Sequence, residues 1–233
     1  MSNEEEQDLK PQLTLLEEVL LLVLRDRDGK VDWKAGYFQT VLAGAIISEL
    51  ILGKYVKIGA SGKKLLHVPG SGSTGNMILN DARHLIHEAK NPKSLQSWIS
   101  KLSNLPGLKE RVAKGLCAKG ILRETEDKVM MFFTRKRYPE VNHEPEKEVI
   151  SRLQKAITTE QEDVDVRTAL LISLTYKSGI LQIPFPYRDL RLYKTRIKRI
   201  INGEAVGKAT SEVIECIQAA IIVATVVPVI VTQ

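Results

Sequence analysis

Residues 13–50 read LTLLEEVLLLVLRDRDGKVDWKAGYFQTVLAGAIISEL. Two long apolar runs flank a short charged turn. Thr14 and Glu17 are spaced as a capping box, in which a hydroxyl and a carboxylate each satisfy a free backbone N–H at a helix start. The helix that follows is apolar nearly all round, with Leu15, Leu16, Val19, Leu20, Leu22 and Val23. Such a helix belongs at the centre of a core rather than on a surface. Residues 26–30, DRDGK, read as a turn with Gly29 at positive φ. A second buried helix is expected over 37–52, with Gly53 as its C′ glycine. Two helices without a polar face need neighbours all round, so the stretch predicts a helical fold built around them.

Working outward, residues 55–58 and 63–68 read as a β-hairpin around 60–62. Its exposed turn carries Lys63 and Lys64, followed by Leu65 and Leu66. Residues 69–76, PGSGSTGN, form a flexible connection to a helix that ends near 90, where Asn91-Pro92 stops it. Further helices are expected at 94–103, 107–119, 145–158, 166–176, 187–202 and 211–225. Asp165 caps one of them and Gly179 closes it. A second hairpin would pair 121–123 with 129–134 around the polar 124–128. The fold class is therefore mainly α: one globular multi-helix domain over 12–233, with small hairpins at about 55–68 and 121–134, behind an acidic disordered stub at 1–11.

A chain of 233 residues with 43% hydrophobic content can bury a sizeable core, and 27% charged residues is ordinary. A net charge of +6 favours anionic partners mildly. Cys117 and Cys216 sit among apolar neighbours and are expected to be reduced core residues. The start, MSNEEEQDLK, is too acidic and polar for a signal or transit peptide. Residues 219–231 are apolar, but a membrane span needs about 20 such residues. They are expected as a buried terminal helix in a cytoplasmic protein able to sit peripherally on membranes.

No set of residues reads as catalytic. Gly70, Gly72 and Gly75 spell G-x-G-x-x-G before a helix, but no βαβ context or Walker lysine accompanies them. They are expected to be a connection, with no nucleotide or other cofactor. His84 and His87, with Asp81 and Glu88 close by, share a helix, yet no further His or Cys stands at metal-ligand spacing. They are expected on a solvated face, and no metal is expected. His67 and His143 have no visible base or nucleophile partner. An enzyme is therefore not expected.

The positive charge is more informative. On the helix at 107–119, Leu105, Leu108, Val112 and Leu116 form the buried stripe. Arg111 and Lys114 share the outer face, and Lys109 lies at its flank. This is either a solvated face or a diffuse anion-binding one. Residues 188–199, RDLRLYKTRIKR, hold six basic residues. Arg188, Arg191 and Lys194 run along one face, while Leu190, Tyr193, Ile197 and Ile201 form the other. The helix either docks on the core or offers a basic patch to a membrane or nucleic acid. Trp33 stands in a polar turn, where it caps the core or contacts an interface or headgroup.

The opening stretch resembles that of the Golgi phosphoprotein 3 family. The resemblance continues through LKERVAKGLCAKGIL at 108–122, RYPEVN at 137–142 and DVRTALLISLTYKSGIL at 165–181. The last two are similar to bacterial-type members. Eukaryotic members are peripheral membrane adaptors that bind phosphatidylinositol 4-phosphate. The resemblance implies a helical fold without catalysis, and an anionic phospholipid headgroup as partner. It implies Trp33 and Lys109 as lipid-binding residues, and Arg111 and Lys114, from the outer face of the basic helix, join them as expected lipid- or anion-binding residues. It also implies a membrane-inserting or self-associating hairpin with Lys63, Lys64, Leu65 and Leu66, through which a homo-oligomer would form. Counting back from Glu49, the family's tryptophan position holds Lys34, one residue from Trp33. Its arginine on the second helix corresponds to Ala43, and its later arginine pair to Pro106 and Lys109. Each lost charge-assisted contact removes about 1.5–3 kcal/mol, so binding is expected to be weak and not strictly specific for the 4-phosphate. Ala43→Arg with Pro106→Arg is expected to sharpen that preference. The acidic start does not support binding to coat proteins. Two other readings stay open: a protein-interaction scaffold, and a winged-helix-like nucleic-acid binder over 94–134. The second has few base-reading residues on its outer face.

Overall fold

A computed structural model of the chain describes residues 12–59, 64–70, 72–129, 133–159, 164–205 and 214. Helix α1 (Leu15–Val23) starts with the capping box: Thr14 N donates to Glu17 Oε2 at 2.8 Å and Glu17 N donates to Thr14 Oγ1 at 3.4 Å. All nine of its residues are buried. Helix α2 (Phe38–Leu52) lies against α1, with 41–48 and Leu50 buried. Its end differs from expectation. Gly53 keeps a negative φ of −75°, and Lys54 takes the left-handed conformation at φ +58°. Gly53 is needed for a different reason. A Cβ there would stand 2.4 Å from the Tyr55 ring.

The other helices wrap this pair. They are α3 (Met77–His87), α4 (Leu95–Ser103), α5 (Leu108–Ala118), α6 (Glu144–Thr158), α7 (Val166–Lys177), α8 (Tyr187–Leu192) and α9 (Lys194–Ile201). α4, α3 and α7 pack on α2, and α5, α6 and α7 pack on α1. Asp165 caps α7, accepting from Thr168 N at 3.0 Å, and Gly179 follows it at φ +80°. The single helix expected over 187–202 is two, with a break at Tyr193. Leu190, Ile197, Ile200 and Ile201 face the core.

Two antiparallel hairpins complete the fold. Strands β1 (Val56–Ile58) and β2 (Leu65–His67) pair Val56 with His67 and Ile58 with Leu65. Strands β3 (Thr125–Val129) and β4 (Phe133–Arg137) pair Thr125 with Arg137 and Val129 with Phe133. The second hairpin is thus shifted from its expected register: the polar residues read as its turn form its first strand. Glu126, Asp127, Thr134, Arg135 and Lys136 are all exposed. A ribbon solvated on both faces has no apolar alternation to mark it. Residues 72–74 of the 69–76 connection hydrogen-bond to α3. Thr74 N donates to Asn80 Oδ1 at 3.0 Å, Asn80 Nδ2 donates to Ser73 Oγ at 3.1 Å, and Arg83 donates to the Gly72 carbonyl.

Contacts along α1 give the molecule two ends. Lys119, just past α5, meets Glu17 near the start of α1. Lys109, near the start of α5, lies over the Tyr138 ring. The backbone at Tyr138 closes on Gly29 beyond the end of α1, where a Cβ would stand 2.2 Å from the Tyr138 carbonyl carbon. The two helices therefore run antiparallel. Arg167, at the start of α7, meets Glu49 and the Leu13 carbonyl. Lys34 meets Gln182 beyond the end of α7. The connection bearing Trp33, the start of α5 and the end of α7 thus share one end. Among the described residues no helix is long and apolar enough to cross a membrane. The stub at 1–11, Lys63, Cys216 and the helix expected at 211–225, apart from Ile214, lie outside the described residues.

Candidate functional site

At the start of α1 the charges are matched. Lys119 Nζ donates to Glu17 Oε2 at 2.7 Å, and Arg152 Nη2 to Glu18 Oε1 at 2.8 Å. Arg167 Nη2 donates to Glu49 Oε1 at 2.7 Å, and the same oxygen accepts from Leu15 N at 2.6 Å. Burial pushes the Glu18 carboxyl up from its ordinary range, and Arg152 opposes that shift. Glu18, Lys119, Arg152 and Arg167 of this cluster border a cleft of about 600 Å³. Each of the three acids here has its own base, so the cluster ties α1, α2, α6 and α7 together.

The opposite end is different. Trp33 is 83% exposed. The Lys34 ammonium lies 6.0 Å from the centre of its ring and donates to the Gln182 carbonyl at 3.4 Å. Gln182 lines a cleft of about 710 Å³ together with Lys177, Tyr187, Leu190, Arg191 and Lys194. Among the described residues no carboxylate pairs with Lys34, Lys177, Arg191 or Lys194. Tyr37, Tyr187 and Leu192 are exposed large hydrophobics on the same connection and on α8. Unpaired cations beside exposed aromatic and apolar groups suit a surface that is anionic above and apolar below.

The expected residues on α5 are placed otherwise. Lys109 pairs with Glu110 at 3.1 Å, and Arg111 pairs with Asp81 on α3. Lys114 is exposed. Two of the three cations therefore have an acid of their own. Ala43 is fully buried in α2, which corrects the expected effect of Ala43→Arg: a guanidinium there would have to enter the core. Pro106 is exposed. At the first hairpin Lys64 is exposed and Leu66 half-buried. Leu65 is a correction, because it is 1% exposed and fills the core. It anchors the hairpin and is not offered to a membrane or a second chain.

Several of the remaining sequence features also have partners. Asp81 of the histidine-bearing helix is occupied by Arg111, and His87 meets His67 in a tilted ring contact with centres 4.5 Å apart. Cys117 is a free, half-buried thiol pushed up by burial. Residues 94–137 do run helix, helix, hairpin. Yet Lys136 pairs with Glu124 at 2.6 Å and Arg137 with Asp127 at 2.9 Å, so two cations of this wing are already matched within it. The basic face with Arg191 and Lys194 is visible in the sequence, but its meeting with Lys177 and Trp33 is not. The pairing of Lys34 with Gln182, 148 residues apart, has no local signal.

Comparison with known proteins agrees with this architecture. The family model described as Golgi phosphoprotein 3 (GPP34) matches residues 15–217. The chain is also similar to vacuolar protein sorting-associated protein 74 of Schizosaccharomyces pombe, at 26% identity over 209 residues. The match covers 76% of this chain and 61% of that relative, so the chain spans less than two thirds of the relative's length. The family model takes in both buried helices, the connection with Trp33, both hairpins and the cleft-lining α8 and α9. The chain belongs to the Golgi phosphoprotein 3 family.

Proposed function

We propose that this protein is a non-enzymatic, adaptor-like protein that attaches peripherally to anionic membrane surfaces through the end bearing Trp33. The observation that carries the reading is the exposed Trp33 beside Lys34 at the rim of a cleft lined by Lys177, Arg191 and Lys194. The ligand is an anionic phospholipid headgroup. The indole supplies an apolar body for the interface, and the cations supply attraction to phosphate. Basic residues near an anionic surface contribute about 1 kcal/mol each within a Debye length. Three give roughly 3 kcal/mol, a weak and salt-sensitive attachment.

Specificity for the 4-phosphate is not strict in this reading. The family's arginine positions hold Ala43, Pro106 and Lys109, and Lys109 is already paired with Glu110. Lysine also lacks the planar fork with which arginine grips two phosphate oxygens. Lys114 adds to the general attraction. A role for the first hairpin in self-association rests on Lys64 and Leu66, since Leu65 is buried.

The test is co-sedimentation with vesicles of phosphatidylcholine alone, with phosphatidylserine, and with phosphatidylinositol 4-phosphate. Binding to both anionic compositions that fades as salt rises supports the reading. No binding to either at low salt contradicts it, and so does salt-resistant binding to the phosphoinositide alone. A shift of duplex DNA under the same conditions would favour the nucleic-acid alternative.

A further inference from the structure

A second feature of the Trp33 end stands apart from the lipid reading. Asp26 lies in the turn after α1, Glu140 follows β4, and His143 precedes α6. The fold brings one ligand atom of each to within 4.8 Å of the others. The Glu140 side chain is only 4% exposed. Its Oε2 contacts His143 Nδ1 at 2.6 Å. Its Oε1 is buried without an N–H donor among the described residues. Glu146 also hydrogen-bonds to this carboxyl, so three carboxyls, those of Asp26, Glu140 and Glu146, gather beside one imidazole, an arrangement that a bound cation would relieve.

We propose that Asp26, Glu140 and His143 bind one divalent transition-metal ion of the zinc type. The donor set is an imidazole nitrogen and two carboxylates, which suits Zn²⁺, Co²⁺ or Mn²⁺ rather than the all-oxygen surroundings of Mg²⁺ or Ca²⁺. Zinc holds such ligands at about 2.0–2.2 Å. Around a tetrahedral ion that places ligand atoms roughly 3.3 Å apart. The 2.6 Å contact must open, and the wider separations must close. Asp26 and His143 are both exposed, so their side chains are free to make these movements of about 1 Å around the fixed Glu140. Next to Glu140 is a small pocket of about 10 Å³, lined also by Asp26, Glu146 and Tyr138. Glu146 or a water would complete the shell from there. Arg25, which lines the same pocket, is committed to Asp28.

The ion would join three segments: the turn after α1, the residues following β4, and the start of α6. The ligands are 114 and 3 residues apart, so sequence spacing does not announce the site.

The experiment uses the full chain, stripped of metal, in a buffer that does not bind metal. Zn²⁺ is titrated calorimetrically, Co²⁺ is followed by its visible absorption, and thermal unfolding is recorded with and without Zn²⁺. The expected result is saturation at about one ion per chain, raised thermal stability, and Co²⁺ bands of a nitrogen–oxygen site. Asp26→Asn, Glu140→Gln and His143→Ala each lower affinity by about tenfold or more. The double variant His84→Ala with His87→Ala leaves it unchanged. Asp26 is exposed, so its variant keeps the fold and decides the matter even where the Glu140 variant does not fold. Absence of saturable binding at millimolar Zn²⁺ overturns the proposal, as does undiminished binding by Asp26→Asn. Loss of binding in the His84 and His87 variant also overturns it, by moving the ion to that pair.

Discussion

The two ends of α1 treat charge differently. At its start, Glu17 and Glu18 are buried, Glu49 is partly buried, and each is met by Lys119, Arg152 or Arg167 at 2.7–2.8 Å. At the other end Lys177, Arg191 and Lys194 line a cleft, Lys34 reaches Gln182 at its edge, none of the four has an acid of its own among the described residues, and Trp33 stands in solvent. A cation that is already matched inside the molecule serves the fold, and removing it leaves a stranded carboxylate. An unmatched one costs the fold little and is free to meet an external anion. Net charge alone does not separate these cases. Arg111 and Lys109 count toward the total of +6, yet each sits on a neighbouring carboxylate.

The contrast can be broken most severely from inside. Ala43→Arg places a charge where the structure is fully buried, and a loss of stability of about 4 kcal/mol or more is expected in chemical denaturation. Retained stability with a gain in phosphoinositide preference would mean that α2 opens toward the headgroup. Next in size, Arg167→Ala strands Glu49 and should cost about 3 kcal/mol. Lys177→Ala at the opposite end should stay within about 0.5 kcal/mol. Equal costs would erase the distinction between the ends.

Binding should show the reverse order. Replacing Lys177, Arg191 and Lys194 by alanine removes roughly 3 kcal/mol of attraction, about a hundredfold in vesicle affinity. Replacing Lys109 and Arg111 should have the smaller effect, read in the same sedimentation assay. The smallest expected effect concerns pH. Burial raises the Glu18 carboxyl above its ordinary value of 4.5. A raised acid favours folding fully below its unfolded value and loses that contribution as pH rises through the folded one. Arg152 counters this when Glu18 is charged. The deficit of Arg152→Ala should therefore be small below about pH 4 and grow as pH rises through the folded value. Denaturation at a series of pH values measures it, and a deficit independent of pH would place the role of Arg152 elsewhere.

Most of the fold was legible because its signals are local. The capping box at Thr14, the glycine turn at 29, the Asp165 cap and the helical periods all lie within a few residues of what they specify. The second hairpin was read in the wrong register because its strands are solvated on both faces and carry no alternation. Gly53 was read as a left-handed cap, whereas the close Tyr55 ring is what requires it. The break at Tyr193 has no proline or glycine to signal it. The candidate site was legible in part. Trp33 was visible as an exposed aromatic in a polar turn, and Arg191 and Lys194 as a basic face. Their meeting depends on the end of α7 lying beside the connection after α1. The neutralisation of Arg111 by Asp81 on α3 is likewise a tertiary fact, and Leu65 is interior because the hairpin folds back onto the core.

Tryptophan emission during titration with anionic vesicles tests the central claim most directly. The chain has two tryptophans. Trp98 is buried and should already emit at short wavelength, so a change reports Trp33. The account predicts a blue shift that saturates with anionic vesicles, reverses with salt, and disappears in Trp33→Phe. Vesicle binding that leaves Trp33 emission unmoved would contradict it, because the membrane would then lie against another face.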